Sequence, residues 1–161
     1  MRSIDALVAQ LRSLGLAPGD CVMVHASLRA VGPVQGRAEG LIEALQRGIA
    51  PGGTLMMVLG ADADEPFDAL QTEVDIEDMG ALAEVFRRTP GVQVTDHAAA
   101  RYAALGPLAP ALLRDPPLHD YHGPGSPLDH LVAHRGRVLR LGADTDTVTL
   151  THLAEYLADL P

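Results

Sequence analysis

Two continuous apolar runs with a helix-length segment between them constrain the fold most. "CVMVHASL", from Cys21, and "TLMMVLG", Thr54 to Gly60, lack polar alternation and read as buried strands. Between them the loop "RAVGPVQG" leads into a helix near Glu39 to Arg47, and "APGG" turns the chain into the second run. Strand, helix, strand is the pattern of an α/β layer. Ser3 caps an earlier amphipathic helix carrying Leu7, Leu11 and Leu14, which Gly15 ends. After an acidic, irregular stretch from Ala61 to Asp78, "MGALAEVFRR" predicts a third helix and "VQVT" a short strand before His97. A helix from about Pro107, the helix "SPLDHLVAH", a buried strand "RVLRLG" and a final helix complete the order.

The chain has 161 residues, 47% of them hydrophobic, so residues 1–161 form a single α/β domain with a proper core. One cysteine, Cys21, excludes an internal disulfide framework and a cysteine-rich metal site. Its place in a buried strand makes it a poor nucleophile. Twelve Lys and Arg against 21 Asp and Glu give a net charge of −9, which argues against nucleic acid. The same charge suits a cationic ligand, and it equally suits plain solubility. No apolar run is long enough for a bilayer, and the N-terminus lacks a secretory apolar core. A cytoplasmic protein without a membrane partner is expected; a homodimer is left open.

Chemistry concentrates in three places. "LTHLAEY" sets His152 and Glu155 three apart on one face of the last helix, as a base beside a carboxylate or as an ordinary ion pair. "VHASLRAVGPVQGRAEGL" is a strand, a hydroxyl-bearing turn and a glycine-containing approach to a helix. It either offers N–H groups to phosphate or simply connects, since neither G-x-G-x-x-G nor a Walker loop is present. In "HGPGSP", Ser126 before Pro127 reads as a helix cap, with His119 and His122 exposed ahead of it. The seven histidines lack metal-site spacing, and His130 and His134 read as surface residues. The absence of G-x-S-x-G removes a serine elbow.

"VHASLRAVGPVQGRAEGLIEAL", "PGGTLMM", "DMGALAEVFRRTPGV", "LGPLAPAL", "GPGSPLDHL" and "GRVLRLGADTDTVTLTHLAEYLA" occur in the order of the aminoglycoside 3-N-acetyltransferases, which the chain resembles over its whole length. The resemblance implies an α/β fold with a layered mixed sheet flanked by helices, unlike the GNAT acetyltransferases. It implies acetyl-coenzyme A as donor, the 3-amino group of a deoxystreptamine antibiotic as acceptor, antibiotic resistance as outcome, and no metal. His152 becomes the general base, with Glu155 its orienting carboxylate. Ser27, Leu28, Gly32, Val34, Thr149 and Thr151 fall on coenzyme A-binding segments; His122, Asp64, Asp62 and Glu65 fall on segments that face the antibiotic. Family members continue past the position of Pro161, so the chain is expected to be truncated at its C-terminal end relative to them. A non-catalytic homologue binding coenzyme A or the antibiotic is the alternative, followed by a metal-dependent hydrolase.

Overall fold

Side-chain alternation within the two apolar runs sets the layers. β1 (Cys21–Ala26) and β2 (Thr54–Val58) run parallel, with Cys21 opposite Thr54 and Met23 opposite Met56. Val22, Val24, Leu55 and Met57 point to one face, where α1 (Ile4–Ser13), α3 (Arg37–Ile49) and α4 (Ala81–Arg87) supply Leu7, Leu11, Leu41, Leu45 and Phe86. Cys21, Met23 and Met56 point to the other. There they meet Leu112 of α5 (Ala109–Leu112), Leu128 and Leu131 of α6 (Pro127–Ala133) and Leu153 of α7 (Leu150–Leu157). The computed structural model describes residues 1–60 and 66–158 as this helix–sheet–helix sandwich.

The five strands lie in the order β3-β4-β2-β1-β5. β3 (Gln93–Val94) and β4 (Tyr102–Leu105) run antiparallel to each other, and β4 runs antiparallel to β2, so the sheet is mixed as expected. β5 (Arg137–Leu141) is parallel to β1, pairing Arg140 with His25. It forms an edge and is only half-buried, where a buried strand was expected: Arg137 and Arg140 are exposed, one on each face. β4 was not anticipated, because the alanines of "YAAL" carry little β tendency and burial between two strands decides. A one-turn α2 (Leu28–Val31) replaces the expected loop, capped by the Ser27 hydroxyl, which accepts from Ala30 N–H. The expected caps Ser3 and Ser126 accept from Ala6 and Asp129 N–H. Among the described residues no helix is long and apolar enough to cross a membrane.

The segment from Pro66 to Met79 has no strand or helix of its own, so side chains must hold it. Glu84 of α4 accepts from Val74 N–H at 3.0 Å and from Arg87 Nε and Nη2 at 2.9 and 2.6 Å, and Arg88 adds a further donor. Burial alone raises the Glu84 carboxyl; the hydrogen bonds from Arg87 and Val74 outweigh it and hold the group down to about 2. A depressed carboxylate stabilises the fold above its ordinary value of 4.5, and that stability is lost as pH falls toward about 2. Urea midpoints should therefore drop across this window. Glu84→Gln should flatten that part of the curve and cost about 2 kcal/mol at neutral pH, because the Arg88 arm of the clamp is exposed. A variant with the parent's acid profile would contradict the clamp.

Candidate active site

The parallel strands β1, β2 and β5 end on the same side of the sheet. The chain leaves β1 through α2 and α3 to reach β2 on one flank, while β5 lies on the other. Such a divergence leaves a crevice beyond the carboxyl ends of the strands. A cavity of about 720 Å³ opens there, walled by His25 and Ala26, Ser27 to Arg29, Met57 and Val58, residues 76–83, the 142–149 connection, Thr151 and His152. The volume lies within the range of about 300–1,000 Å³ usual for small-molecule sites. Gly142 lets β5 close on α2: its φ is 68°, and a Cβ there would meet Ala30 Cβ at 2.4 Å.

Five of the sequence-derived residues share this cavity: Ser27, Leu28, Thr149, Thr151 and His152. Ser27 is already engaged, its N–H donating to Leu141 and its hydroxyl capping α2. The first-turn N–H groups of Leu28 and Arg29 have no intrahelical acceptor and remain as donors. Thr151 Oγ1 donates to Val148 O at 2.7 Å, whereas the Thr149 hydroxyl makes no cap bond to α7. Gly32 and Val34 are not on the cavity wall: Gly32 ends α2, and Val34 is buried in the core, bridged to Arg2. Asp62, Asp64 and Glu65 lie outside the described residues.

The spacing in "LTHLAEY" has the expected geometry. His152 Nδ1 lies 3.0 Å from Glu155 Oε2, with Glu155 set behind the ring and off the cavity wall. Both side chains are more than half exposed, so this pair contributes little to stability. A carboxylate can only accept, so Nδ1–H is the donor and the neutral ring keeps Nε2 free for a proton. His122 is partly buried, where an exposed residue was expected, because its ring stacks on that of His152 at 5.2 Å and 14°. His119 is exposed as expected. His130, expected at the surface, is buried: Nδ1 meets Leu112 O at 3.1 Å, and Arg114 donates to Nε2.

Other residues escaped the sequence reading. Glu77, Asp78, Asp144 and Asp146 line the cavity against a single guanidinium, Arg29. Their separation in sequence hid their convergence. His25, next to last in β1, has Nε2 buried and unpartnered among the described residues. Burial and then the neighbouring Arg140 lower its pKa and keep it neutral. The buried Cys21 thiol is pushed up to about 11, which removes it as a nucleophile. The described residues hold no group of three or more potential metal ligands.

Comparison with known proteins defines the class. A family model for aminoglycoside 3-N-acetyltransferase matches residues 23–161. Aminoglycoside N(3)-acetyltransferase III of Serratia marcescens is 39% identical over 100% of this chain and 66% of its own length. The type VII enzyme of Streptomyces paromomycinus is 41% identical over 96% of this chain and 60% of its own. The solved structure of AAC-IIIb in binary complex with CoASH superposes with a TM-score of 0.95 at 37% identity, covering 99% of this chain and 66% of that one. The chain belongs to the aminoglycoside 3-N-acetyltransferase family. It spans about two thirds or less of the length of the relatives it matches.

Proposed function

We propose that this protein transfers the acetyl group of acetyl-coenzyme A to the 3-amino group of a deoxystreptamine aminoglycoside, conferring resistance to that antibiotic. The observation that carries the reading is the cavity itself. It joins His152, which Glu155 backs from outside the wall, to polar groups at the ends of α2 and α7 and to four carboxylates suited to a polycation. The relatives supply the chemistry: AAC-IIIb is solved with CoASH and AAC-VIa with sisomicin.

The acceptor amine is protonated in water and cannot attack a thioester in that form. Neutral His152 takes its proton at Nε2, and Glu155 at Nδ1 stabilises the resulting imidazolium. The freed nitrogen pair attacks the thioester carbon, the C–N bond forms, the C–S bond breaks, and the second proton that the nitrogen sheds on becoming an amide goes to the departing coenzyme A thiolate. Transfer is direct, without a metal or an acetyl-enzyme. Leu28 and Arg29 N–H groups and the Thr149 hydroxyl face the donor. Glu77, Asp78, Asp144 and Asp146 face the ammonium groups, with Asp62, Asp64 and Glu65 as further acceptor contacts.

Thiol release from acetyl-coenzyme A tests this directly. Release by this chain should depend on added sisomicin or a related aminoglycoside. Binding of coenzyme A without sisomicin-dependent release would favour the non-catalytic reading, and no binding of either would exclude both.

A further inference from the structure

His152 stands on a helix from which Leu153 alone is buried, and its own side chain is half exposed. An imidazole in that position needs more than one contact to hold a fixed plane. Glu155 fixes one ring edge, and His122 covers one face. What holds His122 is Tyr102 in β4, whose side chain is fully buried and whose hydroxyl lies 2.8 Å from His122 Nδ1.

A buried hydroxyl hydrogen needs an acceptor, and among the described residues His122 Nδ1 is the one Tyr102 meets. Burial raises the Tyr102 pKa, so the hydroxyl keeps its proton. The hydroxyl therefore donates, and Nδ1 of His122 accepts. We propose that Tyr102 locks His122 in the neutral tautomer with its proton on Nε2. The locked ring is then a positioning residue that fixes the His152 imidazole and stays uncharged while His152 carries the proton. This role rests on the reading of His152 as the base.

The surroundings agree. From α7 His122 faces His152, with Glu155 behind it; from β4 it faces Tyr102. In its own loop Tyr121 stands edge-on at 4.8 Å and contacts His97, which comes from the β3–β4 connection. No carboxylate hydrogen-bonds to the His122 ring among the described residues. Burial first, then His152 and His97, hold His122 down to about 4. A second cation stacked on the imidazolium would weaken the base.

Imidazole nitrogen NMR of the 15N-labelled chain reads the tautomer without requiring turnover. Between about pH 5 and pH 8, parent His122 should show an unprotonated Nδ1 and a protonated Nε2, with no titration. In Tyr102→Phe the ring should become a tautomer mixture. Acetyl transfer by this variant should lose about tenfold in kcat with the aminoglycoside KM kept. A parent His122 that titrates like a free imidazole, or carries its proton on Nδ1, overturns the proposal. So does a folded Tyr102→Phe with an unchanged tautomer or an unchanged kcat in an active chain. If Tyr102→Phe does not fold, the parent spectrum decides. If the parent spectrum is as expected and the chain does not acetylate, the tautomer lock stands, whereas the base reading and the positioning role fail together.

Discussion

His152→Ala lowers acetyl transfer about 10²- to 10⁴-fold and leaves the fold and coenzyme A binding intact. The fold survives because the side chain is half exposed and its ion pair with Glu155 is a surface one. Donor binding survives because Leu28, Arg29 and Thr149 approach the cavity from other positions. The rate falls because no other neutral imidazole on the wall is free to act: His25 Nε2 is buried near the end of β1. Glu155→Gln should lower the rate with little change in stability. Stopped-flow thiol release, calorimetry of coenzyme A binding and urea denaturation read the rate, the donor binding and the fold. A folded variant at the parent rate would remove His152 as the base.

Arg101→Met destabilises the protein by about 3–5 kcal/mol, more than a typical buried substitution. The Arg101 side chain is 1% exposed and donates to four backbone carbonyls: Gly60, Ala69, Thr72 and Glu73. Its guanidinium also lies over the Phe67 ring at 5.6 Å. Methionine matches much of the length and none of the donors. The segment that ends in the cavity wall at Glu77 and Asp78 then loses its internal anchor, and each carbonyl left without water costs about 1–3 kcal/mol. Aminoglycoside affinity should fall with stability, even where the variant is fully folded. Urea denaturation measures the first effect and calorimetry the second. A loss below about 1 kcal/mol would mean that water replaces the guanidinium freely.

Local patterns were legible where chemistry is local. The run of apolar residues gave β1 and β2, hydroxyl caps gave the starts of α1 and α6, and a three-residue spacing gave the His152–Glu155 pair. β4 was hidden because its alanines become strand-forming only between β2 and β3. The Tyr102–His122 contact joins residues twenty apart, and the carboxylates of the cavity come from two distant loops. No window of sequence reports such meetings. Val34 illustrates the opposite error: its motif position suggested a ligand contact, but it is buried in the hydrophobic core.

The identity of the acetylated product tests the central claim most directly. This chain, acetyl-coenzyme A and sisomicin should yield an antibiotic carrying one acetyl group, assigned by NMR to the 3-amino nitrogen, in amounts equal to the thiol released. Acetate with unmodified sisomicin, or acetylation at another amine, would contradict it.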